Sequence, residues 1–323
     1  MSYILKEVAP FLFSPPYPKI LSGAETASEA YLLAQLVAQN PKRRLVRVTS
    51  DLHSGLLLKQ NLEFFLGVEA GEKLVWFPPH EHLPYTGIFL NSEMIAERMA
   101  ALQRIVDKDF SILVAPASSC FRFLPPPSVL KKYQWTLTLH EEIPRAELLS
   151  WLVCAGFRQE IVVASQGEFA VRGALIDIFS PQLANPARLE FDADKLVAIR
   201  VFDPATQTSL RGENLRELTL IPAGEIILDD ENSARALKNI KMFAEAQDLP
   251  APLRREVAQK ISTKQFFAGF ETFLPAFYEE SSSLFQYLPK ESLLFFSRRR
   301  GFQTNMAAIF HRCHVSPREY KKR

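Results

Sequence analysis

The first 121 residues alternate short apolar runs with longer stretches whose apolar positions recur every three or four residues. The apolar runs, at 19–22, 44–50, 74–77 and 110–115, have the length and composition of buried strands. The longer stretches, at 28–39, 51–66 and 92–106, have the period of helices that bury one face. Because strands that alternate with helices pair in parallel, this part of the chain is predicted to be an α/β domain.

The pattern changes after the three prolines at 125–127. A strand at 133–139 and a helix at 145–155 lead into a region, 159–202, where short apolar runs follow one another at hairpin spacing. A strand at 216–221, helical patterns from residue 229 and a last buried strand at 293–296 complete the prediction. Six phenylalanines are predicted to form an aromatic packing surface: Phe266, Phe267, Phe270, Phe273, Phe277 and Phe285.

The simplest arrangement of these elements is an α/β domain interrupted by an inserted β-rich α+β domain. We assign residues 1–121 to the first part of the α/β domain and 122–206 to the insertion. Residues 207–297 are predicted to complete the α/β domain, and 298–323 to form a basic tail.

Charge and cysteine content narrow the possible functions. The net charge is only +2, although residues 298–323 hold eight Lys or Arg and a single Glu. Two interpretations of this tail stay open, a phosphate-binding arm or a loosely attached chain end. Cys120, Cys154 and Cys313 form no C-x-x-C pair, which predicts inert thiols and no metal site. Since no apolar stretch has membrane-spanning length, we expect a cytoplasmic protein with no membrane partner.

The junction between the first predicted strand and helix is where a phosphate-binding loop would lie. Placed on the pattern G-x-x-x-x-G-K-S/T, Gly23 matches the first glycine, but Ser28 replaces the second. Glu29 stands in place of the lysine and Ala30 in place of the hydroxyl that holds magnesium. A carboxylate repels a triphosphate, so we predict a degenerate nucleotide site that binds no ATP, and no cofactor for the chain.

Four linked motifs resemble one known domain. They are GEFAVRG at 167–173, IDIF at 176–179, PARLEF at 186–191 and IRVFDPAT at 199–206. In this order they resemble the β-rich domain that bacterial transcription-repair coupling factors share with the excision-repair protein UvrB. The resemblance implies a P-loop-NTPase-like (RecA-like) parallel-sheet domain whose nucleotide site has decayed, interrupted by the inserted domain as in UvrB.

A further segment separates the two relatives. FPPHEHLPY at 77–85, followed by Glu97, Arg98 and Leu102, resembles the N-terminal region of the coupling factors, where UvrB has a tyrosine-rich hairpin that clamps DNA. The residues His80, Glu81 and His82 are interpreted as a loop that caps the sheet edge. Two alternating histidines with no third ligand are weak support for a metal site.

The resemblance also implies a binding surface. In both relatives the β-rich domain docks the damage-recognition protein UvrA through largely charged contacts. Matching the motifs residue by residue points to Arg158, Arg172, Phe179, Arg188 and Glu190. Ala170 lies where UvrB has a further arginine.

Each of these residues also has a structural interpretation. Arg172 could bond Asp177 or Glu168 across the hairpin, and Arg188 could pair with Glu190, two residues away on the same strand face. Phe179 has two possible roles, a hydrophobic anchor at the rim of the interface or a core residue. Arg200 and Asp203 are interpreted as structural, with Asp203 starting a turn at Pro204.

The resemblance implies a non-catalytic interaction module of transcription-coupled repair that binds UvrA. The family's motor and its RNA-polymerase-binding module are expected to lie outside this chain, so no RNA polymerase contact is expected. Weak DNA binding in the manner of UvrB, through the tail or the face bearing Arg98 and Arg104, is an alternative. A remnant of an ATP-dependent DNA translocase is another.

Overall fold

The computed structural model describes residues 27–80, 92–246, 251–267 and 269–296. The described residues divide into two compact units. The first contains 27–79, 104–122 and 283–296, and the second contains 80, 92–103 and the described part of 123–282.

The helices and strands are defined by the following bounds. The α-helices in the described residues are α1 Ala27–Gln39, α2 Leu52–Leu66, α3 Ala70–Lys73, α4 Ser92–Val106, α5 Ala117–Cys120, α6 Pro127–Lys132, α7 Arg145–Cys154, α8 Asp230–Ala246, α9 Ala251–Ser262, α10 Leu274–Phe277 and α11 Leu284–Tyr287, and two short 3-10 helices span Gly67–Glu69 and Phe270–Phe273. The strands there are β1 Leu45–Thr49, β2 Leu74–Trp76, β3 Ile112–Pro116, β4 Trp135–Thr138, β5 Arg158–Gln159, β6 Glu168–Arg172, β7 Leu175–Phe179, β8 Ala187–Asp192, β9 Lys195–Phe202, β10 Ser209–Asn214, β11 Glu217–Leu220 and β12 Leu293–Phe296.

The first unit is built on a parallel sheet with the strand order β12-β1-β3-β2. Every residue of β1 and β3 is buried, as expected for parallel strands covered on both faces. Helix α2 begins where the Asp51 side chain accepts a hydrogen bond from the Ser54 amide at 2.8 Å. It lies close to the sheet at Gly55, where a Cβ atom would come within 2.7 Å of the Trp76 ring. The predicted α/β class with a parallel sheet is therefore confirmed, whereas the finer P-loop subclass stays a prediction. The predicted strand at 19–22 lies outside the described residues.

The second unit is built on a six-stranded sheet with the order β10-β9-β8-β7-β6-β5. Its neighbouring strands are antiparallel except for β5 and β6, which are parallel. One face packs against α7 and the two-stranded antiparallel sheet formed by β4 and β11. The core residues on this face include Leu148, Leu152, Ile176, Ile178, Leu189 and Phe191. Because these residues alternate along the strands with polar ones, the opposite face carries the charged side chains.

The region after the sheet forms a second core within the same unit. Helices α8 and α9 pack with Phe270, Phe277 and Tyr278, and the predicted aromatic surface is confirmed for Phe266, Phe267 and Phe273 as well. Phe285 instead contacts Phe121 within the first unit, at 5.6 Å between ring centroids. The predicted boundary at residue 206 falls between β9 and β10, although these strands are hydrogen-bonded neighbours in one sheet. Within residues 207–296, β12 is the strand that pairs with the parallel sheet.

Candidate protein interface on the antiparallel sheet

The charged face of the six-stranded sheet brings together side chains from four strands. Asp177 on β7 lies opposite Arg188 on β8, and Arg188 lies opposite Arg200 on β9. One step along the strands, Arg172 lies in register with Leu175, and Leu175 with Glu190. Residues that follow one another at alternating positions share a face, so the strand pairing places these charges side by side.

Asp177 is the centre of the main ionic cluster. Its carboxylate is 1% exposed and accepts hydrogen bonds from Arg188 Nε at 2.7 Å, Arg188 Nη2 at 2.9 Å and Arg172 Nη2 at 2.6 Å. The hydrogen bond to Asp177 raises the pKa of Arg188 above its ordinary value, although burial opposes this shift. The Arg188 guanidinium also lies over the Phe202 ring, 4.6 Å from its centroid. Two arginines on one carboxylate leave this cluster with a net positive charge.

A second ionic cluster lies at the β5 edge of the same sheet. Glu168 accepts from Arg158 Nη2 at 3.2 Å and from the amides of Ala164 and Ser165 at 2.9 Å each. Gln207 connects the two clusters, because its amide nitrogen donates to the Val163 carbonyl at 2.9 Å and its amide oxygen accepts from Arg172 at 3.4 Å.

The three arginines of these two clusters differ in solvent exposure. The side chains of Arg158 and Arg172 remain 48% and 45% exposed, whereas that of Arg188 is 17% exposed. A paired but half-exposed guanidinium is held in place and still has surface to offer a partner. Arg158 and Arg172 therefore fit a contact role better than Arg188 does.

The structural interpretations can now be assigned residue by residue. The hairpin bond between Arg172 and Asp177 is confirmed. The pairing of Arg188 with Glu190 is wrong, because each bonds a neighbouring strand instead, Arg188 to Asp177 and Glu190 to Arg200 at 3.0 Å.

The structure also bears on the roles of Phe179 and Asp203. Phe179 is 7% exposed and packs with Val163, Ala170 and Phe202, which favours a core role over an anchor at the rim. The turn predicted at Asp203 is confirmed, since its carboxylate accepts from the amides at 205 and 206.

A third ionic cluster within the second unit was not predicted from the sequence. Arg98 Nε donates to Glu225 at 2.7 Å, and His80 Nε2 lies 3.4 Å from the other carboxylate oxygen. Burial alone would raise the pKa of Glu225, but the charges of Arg98 and His80 hold that pKa well below its ordinary range. Sequence motifs include Arg98 and His80, but Glu225 lies in a bend between β11 and α8, 127 residues from Arg98.

The residues predicted to form a degenerate nucleotide site are described in part. Ser28, Glu29 and Ala30 lie in the first turn of α1, and Gly23 lies outside the described residues. Glu29 accepts from Arg47 Nε at 2.5 Å and from Arg47 Nη2 at 3.2 Å. The carboxylate at the position of the expected lysine is thus bound to an arginine of the central strand β1.

The described ranges also bear on metal binding, membrane spanning and the cysteines. They hold no group of three or more metal-binding side chains, and no helix there is long and apolar enough to cross a membrane. Cys120 and Cys154 are buried and form no disulfide in the part of the chain that the structure describes, while Cys313 and the tail at 298–323 lie outside it. The DNA-binding alternative that depends on the tail is therefore untested.

The six-stranded sheet that carries the Asp177 and Glu168 clusters is similar to a known domain. Residues 135–225 match the family model of the UvrB interaction domain. This range contains all six strands of the antiparallel sheet and the β4–β11 pair.

The second comparison extends the similarity to most of the chain. The transcription-repair-coupling factor of Haemophilus influenzae is 30% identical over 291 residues, which are 87% of this chain and 24% of that protein. The proteins of the same name from Myxococcus xanthus and Bacillus subtilis are 31% and 26% identical, over 82% and 87% of this chain and 22% and 25% of their own lengths. The predicted resemblance to the N-terminal region of a transcription-repair coupling factor is confirmed. The chain spans about a quarter of the length of the curated relatives it matches.

Proposed function

We propose that this chain is a protein-interaction module of transcription-coupled nucleotide excision repair and that it binds UvrA through the charged face of its antiparallel sheet. The observation that carries the proposal is that Arg158 and Arg172 are both ion-paired and half-exposed. Each is paired with a carboxylate on its own sheet, and about half of each side chain stays exposed. Both lie inside the range that matches the UvrB interaction domain.

The geometry suits recognition of an acidic protein surface. The guanidinium group is planar, stays charged at every physiological pH and presents five N–H donors in a fixed fork. The bonds from Arg172 to Asp177 and Gln207 both use Nη2, one of its three nitrogens. An arginine already restrained by such bonds loses less conformational entropy when a partner carboxylate binds.

We further propose that the first unit does not hydrolyse nucleotide. The Glu29–Arg47 ion pair supports this, because a carboxylate now lies where a triphosphate would require a cation. Helix α1 retains a favourable place for negative charge at its N-terminus, and Glu29 supplies that charge itself. An ATPase assay with and without DNA tests this proposal, and turnover above background would contradict it.

A titration of the full chain with purified UvrA tests the binding proposal. Interface arginines typically cost about 2 kcal/mol when truncated, so Arg172→Ala is expected to weaken binding about 30-fold. Arg158→Ala should weaken it in the same direction. Arg255→Ala is the matched control, because Arg255 is an exposed arginine on α9 in the same unit but away from the sheet.

Three outcomes are informative. Loss with Arg172→Ala and Arg158→Ala but not with Arg255→Ala supports the assigned surface. Equal affinities for all four proteins would move the contact elsewhere on the chain. A wild-type chain that fails to bind UvrA would overturn the proposed function.

A further inference from the structure

The loop at 160–166, beside Arg158, presents two apolar side chains to solvent. Ile161 is 88% exposed and Val162 is 42% exposed. The next residue, Val163, is fully buried and packs against Phe179 and Phe202. The loop therefore inserts one apolar residue into the domain and leaves the two before it outside.

Hydrogen bonds hold this loop along most of its length. The Glu160 amide donates to the Phe169 carbonyl at 2.8 Å, which extends the pairing of β5 with β6. The amides of residues 164 and 165 both donate to Glu168, and Gln207 donates to the carbonyl of residue 163. Because the backbone is already ordered, burying Ile161 against a partner costs little further conformational entropy.

The same hydrogen bonds connect the loop to both exposed arginines. Glu168 accepts from the loop amides and from Arg158, and Gln207 bonds the loop and Arg172. A single exposed apolar residue is ordinary on a protein surface. An isoleucine on a fixed loop, held by the same residues that bond two exposed arginines, is the arrangement expected of an apolar contact inside a charged interface.

We propose that Ile161, with Val162 beside it, is the apolar anchor of the docking surface. This inference rests on the proposed function, since its occupant is the same protein partner. That partner must offer an apolar hollow near carboxylates, because Arg158 and Arg172 bond the two residues, Glu168 and Gln207, that hold this loop. Ile161 offers exposed apolar surface, of which Phe179 at 7% exposure offers little.

The test uses the full chain, purified UvrA and the substitution Ile161→Ser. We expect at least a tenfold rise in Kd with an unchanged melting temperature, because the side chain contacts solvent rather than the core. The loss should persist as salt increases, whereas the loss caused by Arg172→Ala should shrink. Ile161→Thr, which keeps the β-branch and removes less apolar surface, should give a smaller loss.

Met242→Ser is the matched control. Met242 is 60% exposed on α8 of the same unit, and its truncation should leave Kd unchanged. If wild type binds UvrA and Ile161→Ser binds equally well, the anchor is wrong although the proposed function stands. If Met242→Ser weakens binding as much as Ile161→Ser, general surface hydrophobicity is responsible and the anchor is again wrong. If wild type does not bind, both proposals fail.

Discussion

Two arginine–carboxylate clusters in the second unit use the same chemistry in different surroundings. At Glu225, Arg98 and His80 surround a carboxylate, and all three side chains are almost completely buried. At Asp177 the carboxylate is equally buried, but Arg172 extends to a half-exposed position. Removing a partner inside the protein leaves an uncompensated charge, whereas an exposed arginine can exchange water for a partner. We therefore expect the Glu225 cluster to contribute to stability, and we propose that the exposed Arg172 of the Asp177 cluster contributes to recognition.

The largest expected effect is on stability, from Glu225→Ala. Breaking a buried ion pair by removing one member costs about 3–5 kcal/mol, so the free energy of unfolding should fall by that amount. Urea unfolding measures it, with Trp135 and Trp151, whose rings lie 5.9 Å apart in the second unit, as fluorescent probes. Glu190→Ala is the control, since the pair of Glu190 with Arg200 is exposed and should cost about 1 kcal/mol or less. Equal losses for the two variants would remove the distinction between the clusters.

The pH dependence of stability should also identify the buried cluster. The pKa of Glu225 is lowered in the folded state from an ordinary value of 4.5. Its contribution to stability is therefore complete above about pH 4.5 and is lost as the pH falls below that value toward the folded pKa. The urea midpoint of the wild type should decrease over this range. In Glu225→Gln the decrease should be shallower, and parallel curves for the two proteins would argue against the assignment.

Comparing Arg188→Ala with Arg172→Ala tests which arginine of the Asp177 cluster contributes to stability and which to binding. Arg188 makes two bonds to Asp177 and is mostly buried, so its loss should cost about 2 kcal/mol of stability. Arg172→Ala should cost about 1 kcal/mol or less, because this side chain is half-exposed. Thermal unfolding of both variants, set beside their UvrA titrations, checks the division. It fails if Arg172→Ala destabilises more than Arg188→Ala.

The smallest effect is expected in the first unit. The Glu29–Arg47 pair is partly exposed at Glu29, so Glu29→Gln should change stability by about 1 kcal/mol. Glu29→Lys restores the charge of a phosphate-binding lysine, but Ala30 still lacks the hydroxyl that holds magnesium. Equilibrium dialysis with Mg-ATP should therefore detect no binding by the wild type or by either variant. Nucleotide binding by the wild type would contradict the proposed loss of this site.

Most helices and strands were predictable from the sequence because their signals are local. Helix α4 and strand β12 have the predicted bounds, β1 and β3 differ from the predictions by one or two residues at each end, and α7 ends one residue earlier than predicted. Amphipathic periodicity, turn residues and strand length are properties of about ten neighbouring residues, so the local sequence is sufficient to predict these elements. The four linked motifs likewise placed the charged face on the correct strands.

The roles of individual side chains were harder to predict, and Phe179 shows why. Phe179 lies on the same face of β7 as Leu175 and Asp177, and a position on this charged face favours solvent exposure. The structure buries it because Val163 and Phe202 pack over this end of the sheet. Ile161, two residues before Val163, was not singled out, since an isoleucine in a loop gives no signal before the loop's hydrogen bonds are known.

The sequence by itself determined the succession of elements, the family resemblance and the identity of the charged strands. Only the tertiary structure decided which charges are neutralised inside the protein and which remain available to a partner. Motif matching gives no difference in exposure between Arg188 and Arg172, and Glu225 is 127 residues from the arginine that binds it. The physical reason is that the energy of a charge depends on its solvent exposure and on partners across the fold, and neither is encoded by local spacing.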